Sequence, residues 1–250
     1  MRITKLLSLL CILFVVSSCH KKNKDDVSNS SATIAPNDFL ASTKYDKLVI
    51  QIQAVSGYEL TDQTVTNLVS FLEQRLNKPG GIEVLKNSVA SPGKATLTLD
   101  DLMALEKTNR TQFSDLGMKT LTAYFFVADG EYSGSTTDSK VLGIAYSSSA
   151  MVLFEQSIRS FTGNAGQPSL TTLESTVIEH EFGHILGLVN DGTNMQTAHQ
   201  DEPHGKHCNN TNCLMYYDVE TSASVTNIFG GGIPSLDTNC LNDLKANGGK

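Results

Sequence analysis

The alternation of apolar and polar residues predicts an α/β domain that begins near residue 45. Short runs rich in β-branched and aromatic residues predict strands, whereas apolar residues three and four positions apart predict helices. The predicted strands cover residues 48–53, 82–85, 121–127, 141–146 and 151–154, and the predicted helices cover residues 61–77 and 99–110. Strands that alternate with helices and end in a closely spaced pair indicate a mixed five-stranded sheet with helices packed on it.

A further helix is predicted from Thr171 to about residue 188. Thr171 and Glu174 have the spacing of a capping box, in which the hydroxyl accepts a backbone amide and the carboxylate reaches back. Gly187 near the end lets the chain turn sharply, and the polar composition beyond residue 189 predicts a loop. The apolar residues at helical spacing would face the core: Ile178, Phe182, Ile185, Leu186 and Val189.

The composition is that of a globular protein and excludes some partners. The 250 residues include 19 Lys+Arg and 26 Asp+Glu, for a formal net charge of −7. A mildly acidic chain without a block of basic residues is not expected to bind nucleic acid. Five of the six histidines fall between residues 180 and 207, which indicates where the chemistry lies.

The N-terminus has the pattern of an export signal. Basic residues precede an apolar run over residues 6–16, which is too short to span a bilayer stably. The run ends in Val-Ser-Ser-Cys, which resembles a bacterial lipobox with Cys19 as the acylated residue. A plain secretory signal with an incidental cysteine is the alternative. We predict a signal peptide over residues 1–18, a lipidated cysteine with a flexible linker over 19–44, and one folded domain over 45–250.

This organisation predicts a protein that is exported and held by lipid at a bacterial membrane, on its periplasmic or cell-surface side. The polar, basic segment directly after Cys19 suits a tether between a lipid anchor and a folded domain.

The predicted helix that begins near Thr171 carries the sequence His180-Glu181-Phe182-Gly183-His184. Two histidines four positions apart on a helix face the same side and can bind one zinc ion at about 2.0–2.1 Å. Glu181 can then take a proton from a water held on the zinc and pass it to a leaving amine, while the zinc polarises the carbonyl. A chance match on an amphipathic helix is the alternative, but the helix cap and the following glycine weigh against it.

Two segments resemble a known family. Residues 180–187, HEFGHILG, look like the start of the metzincin motif HExxHxxGxxH, and residues 207–215, HCNNTNCLM, look like its archaemetzincin variant, which continues HCx4CxM. The sequence is thus similar to archaemetzincin peptidases over about 36 residues. The resemblance implies a metzincin-like fold with an active-site helix, His207 as the third zinc ligand, and Met215 in a tight turn beneath the metal.

The sequence departs from this motif at the third ligand. Asn190 stands at the position where the metzincin motif has its third histidine, so the resemblance requires an insertion over residues 189–206. Asp191 and His204 remain alternatives to His207 as the third ligand. His199 is a further, weaker alternative, and otherwise belongs to a polar loop.

The resemblance also implies a second, structural zinc, because archaemetzincins hold one on four cysteines. Cys208 and Cys213 match the first pair, and Cys240 matches the last cysteine, whereas Asp237 stands where another cysteine would be. A carboxylate is an accepted zinc ligand, so the predicted second site is Cys208, Cys213, Asp237 and Cys240. A disulfide from Cys240 to Cys208 or Cys213 is the alternative, since three cysteines cannot all pair within one chain.

The leading prediction is a zinc-dependent metallopeptidase that acts on a peptide or protein. In some metzincins a tyrosine two positions after the turn methionine binds zinc or the oxyanion, which implies this role for Tyr217; packing beneath the site is its alternative. The competing function is a catalytically silent, zinc-containing surface lipoprotein that binds a peptide or protein partner. Glu181 favours the enzyme, because a degenerate site usually loses this glutamate first.

Overall fold

The structure is a computed structural model that describes residues 33–222 and 232–250. These residues form seven strands and six α-helices. The strands are β1 (Lys47–Val55), β2 (Ile82–Val89), β3 (Thr96–Leu97), β4 (Thr120–Ala128), β5 (Glu131–Tyr132), β6 (Gly143–Ser147) and β7 (Ala150–Phe154). The helices are α1 (Pro36–Leu40), α2 (Asp62–Glu73), α3 (Leu99–Asn109), α4 (Glu155–Ser160), α5 (Leu170–Ile185) and α6 (Thr238–Ala246).

Five of the strands form one mixed sheet in the order β2-β1-β4-β7-β6. β2, β1, β4 and β7 are parallel, and β6 pairs with β7 in the antiparallel direction. The central strands β1 and β4 are buried along almost their whole length, and the buried part of β1 includes Gln51 and Gln53. The predicted five-stranded mixed sheet with packed helices is therefore confirmed, and β6 lies at one edge of it.

The folded part begins before the predicted boundary at residue 45. α1 lies inside the predicted linker, and its Phe39 and Leu40 are fully buried in the main core. The ring of Phe39 packs edge-on against Phe182 of α5, with centroids 5.7 Å apart. The sequence did not reveal α1, because one helical turn with two apolar residues is too short to show a period. The predicted signal peptide and Cys19 lie outside the described residues.

No helix in the described ranges is long and apolar enough to cross a membrane.

α5 is capped differently from the prediction. Ser169, two residues before Thr171, is the N-cap, and its hydroxyl accepts the amide of Thr172 at 3.1 Å. Glu174 points away from this end and accepts the amide of Thr61 at 3.1 Å and its hydroxyl at 3.0 Å. Because Thr61 caps α2, the buried Glu174 carboxylate joins α5 to α2 instead of closing a capping box.

Glu155 at the start of α4 is a second buried carboxyl beside Glu174. Burial raises the pKa of Glu155 to about 8, and the neighbouring Glu174 adds to this increase. Arg159, whose Nε lies 2.8 Å from the carboxylate, offsets part of it. Two carboxyls in one buried site hold a proton more tightly than either would alone.

The free energy of unfolding should depend on pH because folded Glu155 holds its proton beside Glu174. Unfolded Glu155 loses its proton near its usual pKa of 4.5, whereas the folded protein keeps it until about pH 8. The folded state therefore binds more protons in this window, and the free energy of unfolding should fall as pH rises from 4.5 to 8. Each pKa unit corresponds to about 1.4 kcal/mol.

Chemical denaturation across this pH range measures the effect. Glu155→Gln should flatten the fall, whereas Glu73→Gln, at an exposed position of α2, should not. An unchanged slope in Glu155→Gln would show that Glu155 loses its proton at an ordinary pH in the folded protein.

Candidate metal centre

α5 places His180, Glu181 and His184 under the edge of the sheet. His180 and His184 lie one helical turn apart, and their Nε2 atoms are 3.1 Å from each other. The chain leaves the helix through Gly187, whose φ of +72° lies in the left-handed region. That turn carries the chain away from α5 into the loop that returns at His207.

His207 completes a group of three imidazoles. Its ring centroid lies 5.4 Å from that of His180 and 5.1 Å from that of His184. Nδ1 of His207 donates to the carbonyl of His204, and Nδ1 of His180 donates to the carbonyl of Leu214, both at 2.7 Å. Because Nδ1 is the donor in each ring, Nε2 is left as the free ligand atom.

A carboxylate that the sequence did not indicate lies at the same point. Glu220 ends a short 3-10 turn, Tyr217–Glu220. Its Oε1 lies 3.0 Å from Nε2 of His184, 3.0 Å from Nε2 of His207 and 3.6 Å from Nε2 of His180. No motif contains this glutamate, and its position depends on the tertiary path of the chain after Met215.

The spacing of these atoms fits a small tetrahedral cation. Zinc bound to nitrogen or oxygen at about 2.0–2.1 Å places neighbouring ligand atoms about 3.3 Å apart. The separations of 3.0–3.6 Å between these atoms match that edge length. Among the described residues, Nε2 of His207 and Oε1 of Glu181 are buried without a hydrogen-bond partner. A set of imidazoles and carboxylate is also the ligand chemistry that zinc accepts.

Glu181 is held beside this group by the edge strand. Its Oε2 accepts the amide of Ala145 in β6 at 2.7 Å. Burial raises the pKa of Glu181 well above its usual range, and the nearby Glu220 carboxylate adds to this, although the Ala145 amide lowers it. Burial also lowers the pKa of His184, which favours the neutral imidazole that a metal binds.

Met215 lies directly beneath α5. It is fully buried, and a Cβ on Gly183 would come within 2.2 Å of its sulfur. Only glycine at residue 183 therefore lets the methionine pack at this depth. The carbonyl of the preceding residue, Leu214, accepts the hydrogen bond from the imidazole of His180.

The alternative third ligands do not join the group. Asp191 forms an ion pair with Lys206 along the wall of the cleft. His204 donates from Nδ1 to Asp201 at 2.6 Å, and its ring stacks on Tyr217 with centroids 3.6 Å apart. The structure thus brings His207 to His180 and His184, and it places Tyr217 against His204.

His184 and His207 line a cleft of about 510 Å³, and the buried His180 lies behind them. Its walls come from β6 and from the loop that leads to His207, and its floor includes Glu181, His184 and Glu220. Within the described residues β6 pairs with β7 alone in the sheet, so the cleft runs along the outer edge of β6 and leads to the candidate metal centre.

A second group of possible metal ligands lies beside the first. Cys208, Cys213 and Cys240 are buried and free, and the sulfurs of Cys213 and Cys240 are 3.7 Å apart. The sulfur of Cys208 lies 3.4 Å from Oδ2 of Asp237 and 3.4 Å from Nδ1 of His199. Ligand atoms of His199, Cys208, Asp237 and Cys240 all lie within 4.8 Å of one another.

Cys213 has the surroundings of a thiolate. Its sulfur accepts the amides of Met215 and Asp237, each at 3.4 Å. Hydrogen bonds from Cys208 and Cys240 lower its pKa to about 4, and the two amides contribute further. A thiolate among buried cysteines is the form that binds zinc.

Two residues compete for the fourth place in this group: Asp237 offers a carboxylate oxygen, and His199 offers an imidazole nitrogen. Oδ1 of Asp237 accepts the amide of Cys240 at 2.9 Å and so caps α6, and Oδ2 accepts from Asn210 at 3.1 Å. His199 instead has its Nε2 2.8 Å from buried Asp243. No local signal marks His199, because Asp243 lies 44 positions further along the chain.

The comparisons with known proteins are consistent with this fold. No protein-family model and no curated protein matches the sequence. Among solved structures, the chain is similar to archaemetzincin from Methanopyrus kandleri, with a TM-score of 0.52 and 17% identity over 82% of this chain and 96% of that one. This likeness confirms the predicted archaemetzincin-like fold.

Two further structures are similar at lower scores. One is a zinc-dependent peptidase from Methanocorpusculum labreanum, with a TM-score of 0.47 and 13% identity over 78% of this chain and 99% of that one. The other is metalloproteinase-II from Bacteroides fragilis, with a TM-score of 0.44 and 14% identity over 86% of this chain and 55% of that one.

Proposed function

We propose that the protein is a zinc-dependent peptidase in which His180, His184 and His207 hold the catalytic ion and Glu181 is the general base. The convergence of the Nε2 atoms of these three histidines beside a buried glutamate carries this proposal. The fold that this chain shares with the Methanopyrus archaemetzincin is in keeping with it.

Glu181 is placed to move the protons of peptide hydrolysis. A bound zinc ion supplies the Lewis acid that polarises the scissile carbonyl and acidifies water. The amide of Ala145 fixes Oε2 of Glu181, and Oε1 is buried without a hydrogen-bond partner among the described residues. That oxygen accepts the proton of the attacking water and delivers it to the leaving amine. A carboxyl with a raised pKa is a stronger base for the first transfer.

The edge strand favours a peptide as substrate. β6 pairs with β7 on one side, and its other edge carries the Ala145 amide next to Glu181. An extended peptide that adds to this edge gains backbone hydrogen bonds. Its carbonyl groups would then pass in register beside Glu181 and the three imidazoles, which orients one bond for attack.

Zinc content and proteolysis of the Glu181→Gln variant test the proposal. The variant should keep its zinc but lose about 10²–10⁴-fold in hydrolysis of a fluorescently labelled, unfolded protein, since the general base is gone. His207→Ala should lose one zinc per chain as well as activity. Glu179→Gln is a matched control on the same helix and should change neither.

Near-normal hydrolysis by Glu181→Gln would contradict the assignment of Glu181. A wild-type protein that binds zinc but cleaves nothing would favour the silent lipoprotein that binds a peptide or protein.

We also propose a second, structural zinc on Cys208, Cys213 and Cys240. Asp237 is the fourth ligand that the sequence indicates, but His199 is the better placed one. Asp243 fixes the His199 ring from behind, which is the usual support of a zinc-bound imidazole. Asp237 already caps α6. The proposed set is therefore three thiolates and one imidazole.

The number of zinc ions per chain distinguishes His199 from Asp237 as the fourth ligand. His199→Ala should reduce two zincs per chain to one, and should keep the zinc that His207→Ala removes. Asp237→Asn should keep both ions and leave the unfolding free energy nearly unchanged, because an asparagine oxygen caps a helix about as well as a carboxylate. The reverse pattern would assign Asp237. A Cys213–Cys240 disulfide in mass spectra of the unreduced protein would rule out the second zinc.

We propose, finally, that the chain is exported and anchored by lipid on Cys19. The basic start, the short apolar run and the Val-Ser-Ser-Cys ending support this proposal. Cells that express the protein with a labelled fatty acid should label the wild-type chain, and Cys19→Ser should remove the label and move the protein to the soluble fraction. An unlabelled wild-type chain would favour a plain secretory signal.

A further inference from the structure

Glu220 occupies the corner of the metal centre that catalysis needs to be free. The Nε2 atoms of His180, His184 and His207 form three corners of a tetrahedron, and Oε1 of Glu220 forms the fourth at 3.0–3.6 Å from them. Catalytic zinc sites hold the ion with three protein ligands and keep one position open, whereas four protein ligands are typical of closed sites. A carboxylate is one of the ligands that can fill that position.

The backbone delivers Glu220 to this corner. Its carbonyl accepts the amide of Leu142 at 2.9 Å, and the next residue, Thr221, forms an antiparallel bridge with Val141. Ser222 then donates its amide to the carbonyl of Lys140 at 2.8 Å. These contacts tie the segment to the chain immediately before β6. The carboxylate is therefore positioned by the fold and not only attracted by the imidazoles.

The side chain has room to leave. The side chain of Glu220 is 33% exposed, whereas the side chain of His180 is fully buried and those of His184 and His207 are 9% exposed. Glu220 also lines the cleft. Rotation of its side chain into the cleft would open the fourth corner without breaking the hydrogen bonds of its backbone.

We propose that Glu220 restrains the peptidase by occupying the position that water and the substrate carbonyl require. This inference rests on the proposed zinc centre. A competing ligand binds only the open fraction of molecules, so its apparent affinity falls in proportion to the time that Glu220 spends in place. Removal of the carboxylate should therefore increase both ligand affinity and peptide hydrolysis.

Cobalt substitution tests this proposal without relying on activity. The visible absorption of Co²⁺ reports its ligands, and acetohydroxamate is a small chelator that needs an open position. The full-length Co²⁺ protein is titrated with acetohydroxamate for the wild type and for Glu220→Ala and Glu220→Gln. The spectrum of His207→Ala gives the absorption of Co²⁺ in the cysteine group alone, which is subtracted from the others. Glu202 is an exposed carboxylate in the loop before His207, so Glu202→Ala is the matched control.

The wild type should need at least about ten-fold more acetohydroxamate than Glu220→Ala, and Glu202→Ala should match the wild type. Glu220→Gln, a weaker ligand of similar size, should lie between them. Hydrolysis of the labelled protein should increase several-fold in Glu220→Ala. If Glu220→Ala loses its cobalt while the wild type keeps it, Glu220 is a ligand, and the test then rests on Glu220→Gln. In that case, a lower acetohydroxamate requirement in Glu220→Gln than in the wild type supports the proposal.

Equal titrations of the wild type and both Glu220 variants would overturn the proposal, because the fourth corner would then be open at rest. The two proposals fail differently. Absence of cobalt from the three-histidine centre of the wild type would overturn both. Tighter hydroxamate binding in Glu220→Ala, with no hydrolysis by any variant, would keep the role of Glu220 as a ligand and reject the peptidase.

Discussion

The hydrogen bond from Nδ1 of His180 to the carbonyl of Leu214 joins the two halves of the candidate metal centre. His180 belongs to α5, whereas Leu214 belongs to the chain that follows His207. The same short stretch contains Cys208 and Cys213, and the amide of Cys208 donates to the carbonyl of Met215 at 2.7 Å. The position of His207 relative to α5 therefore depends on a segment that the cysteine group can fix in place.

This dependence explains why the two groups of ligands adjoin. Holding a loop that carries a metal ligand in one place costs conformational entropy. Cys208 directly follows His207, so any cross-link at Cys208 reduces the freedom of that imidazole as well. Burial of Met215 against Gly183 restrains the other end of the segment. The proposed structural ion and the methionine contact thus act on one element, the stretch between His207 and Met215.

Local patterns decided which parts of the fold and of the metal centre could be predicted from the sequence. The alternation in β1, the apolar run of β4 and the helical patterns of α2 and α3 were clear, whereas α1, α4 and α6 are short. The motif on α5 marked three residues, and a resemblance marked His207. Glu174, Glu220 and His199 are different, because each reaches its partners through tertiary contacts that sequence spacing does not encode.

Two departures from the archaemetzincin pattern become related in the structure. In the proposed metal centre the third histidine is His207, after the insertion that the resemblance implies over residues 189–206, and Asp237 stands where that pattern has a cysteine. The insertion contains His199, whose ring comes to lie beside the three thiols. It is anchored within the fold, since the amide of Gln196 donates to Asp243 at 2.6 Å. A single ordered loop can therefore deliver a ligand to each group, His207 to the first and His199 to the second, and the helix cap at Asp237 becomes compatible with a complete second site.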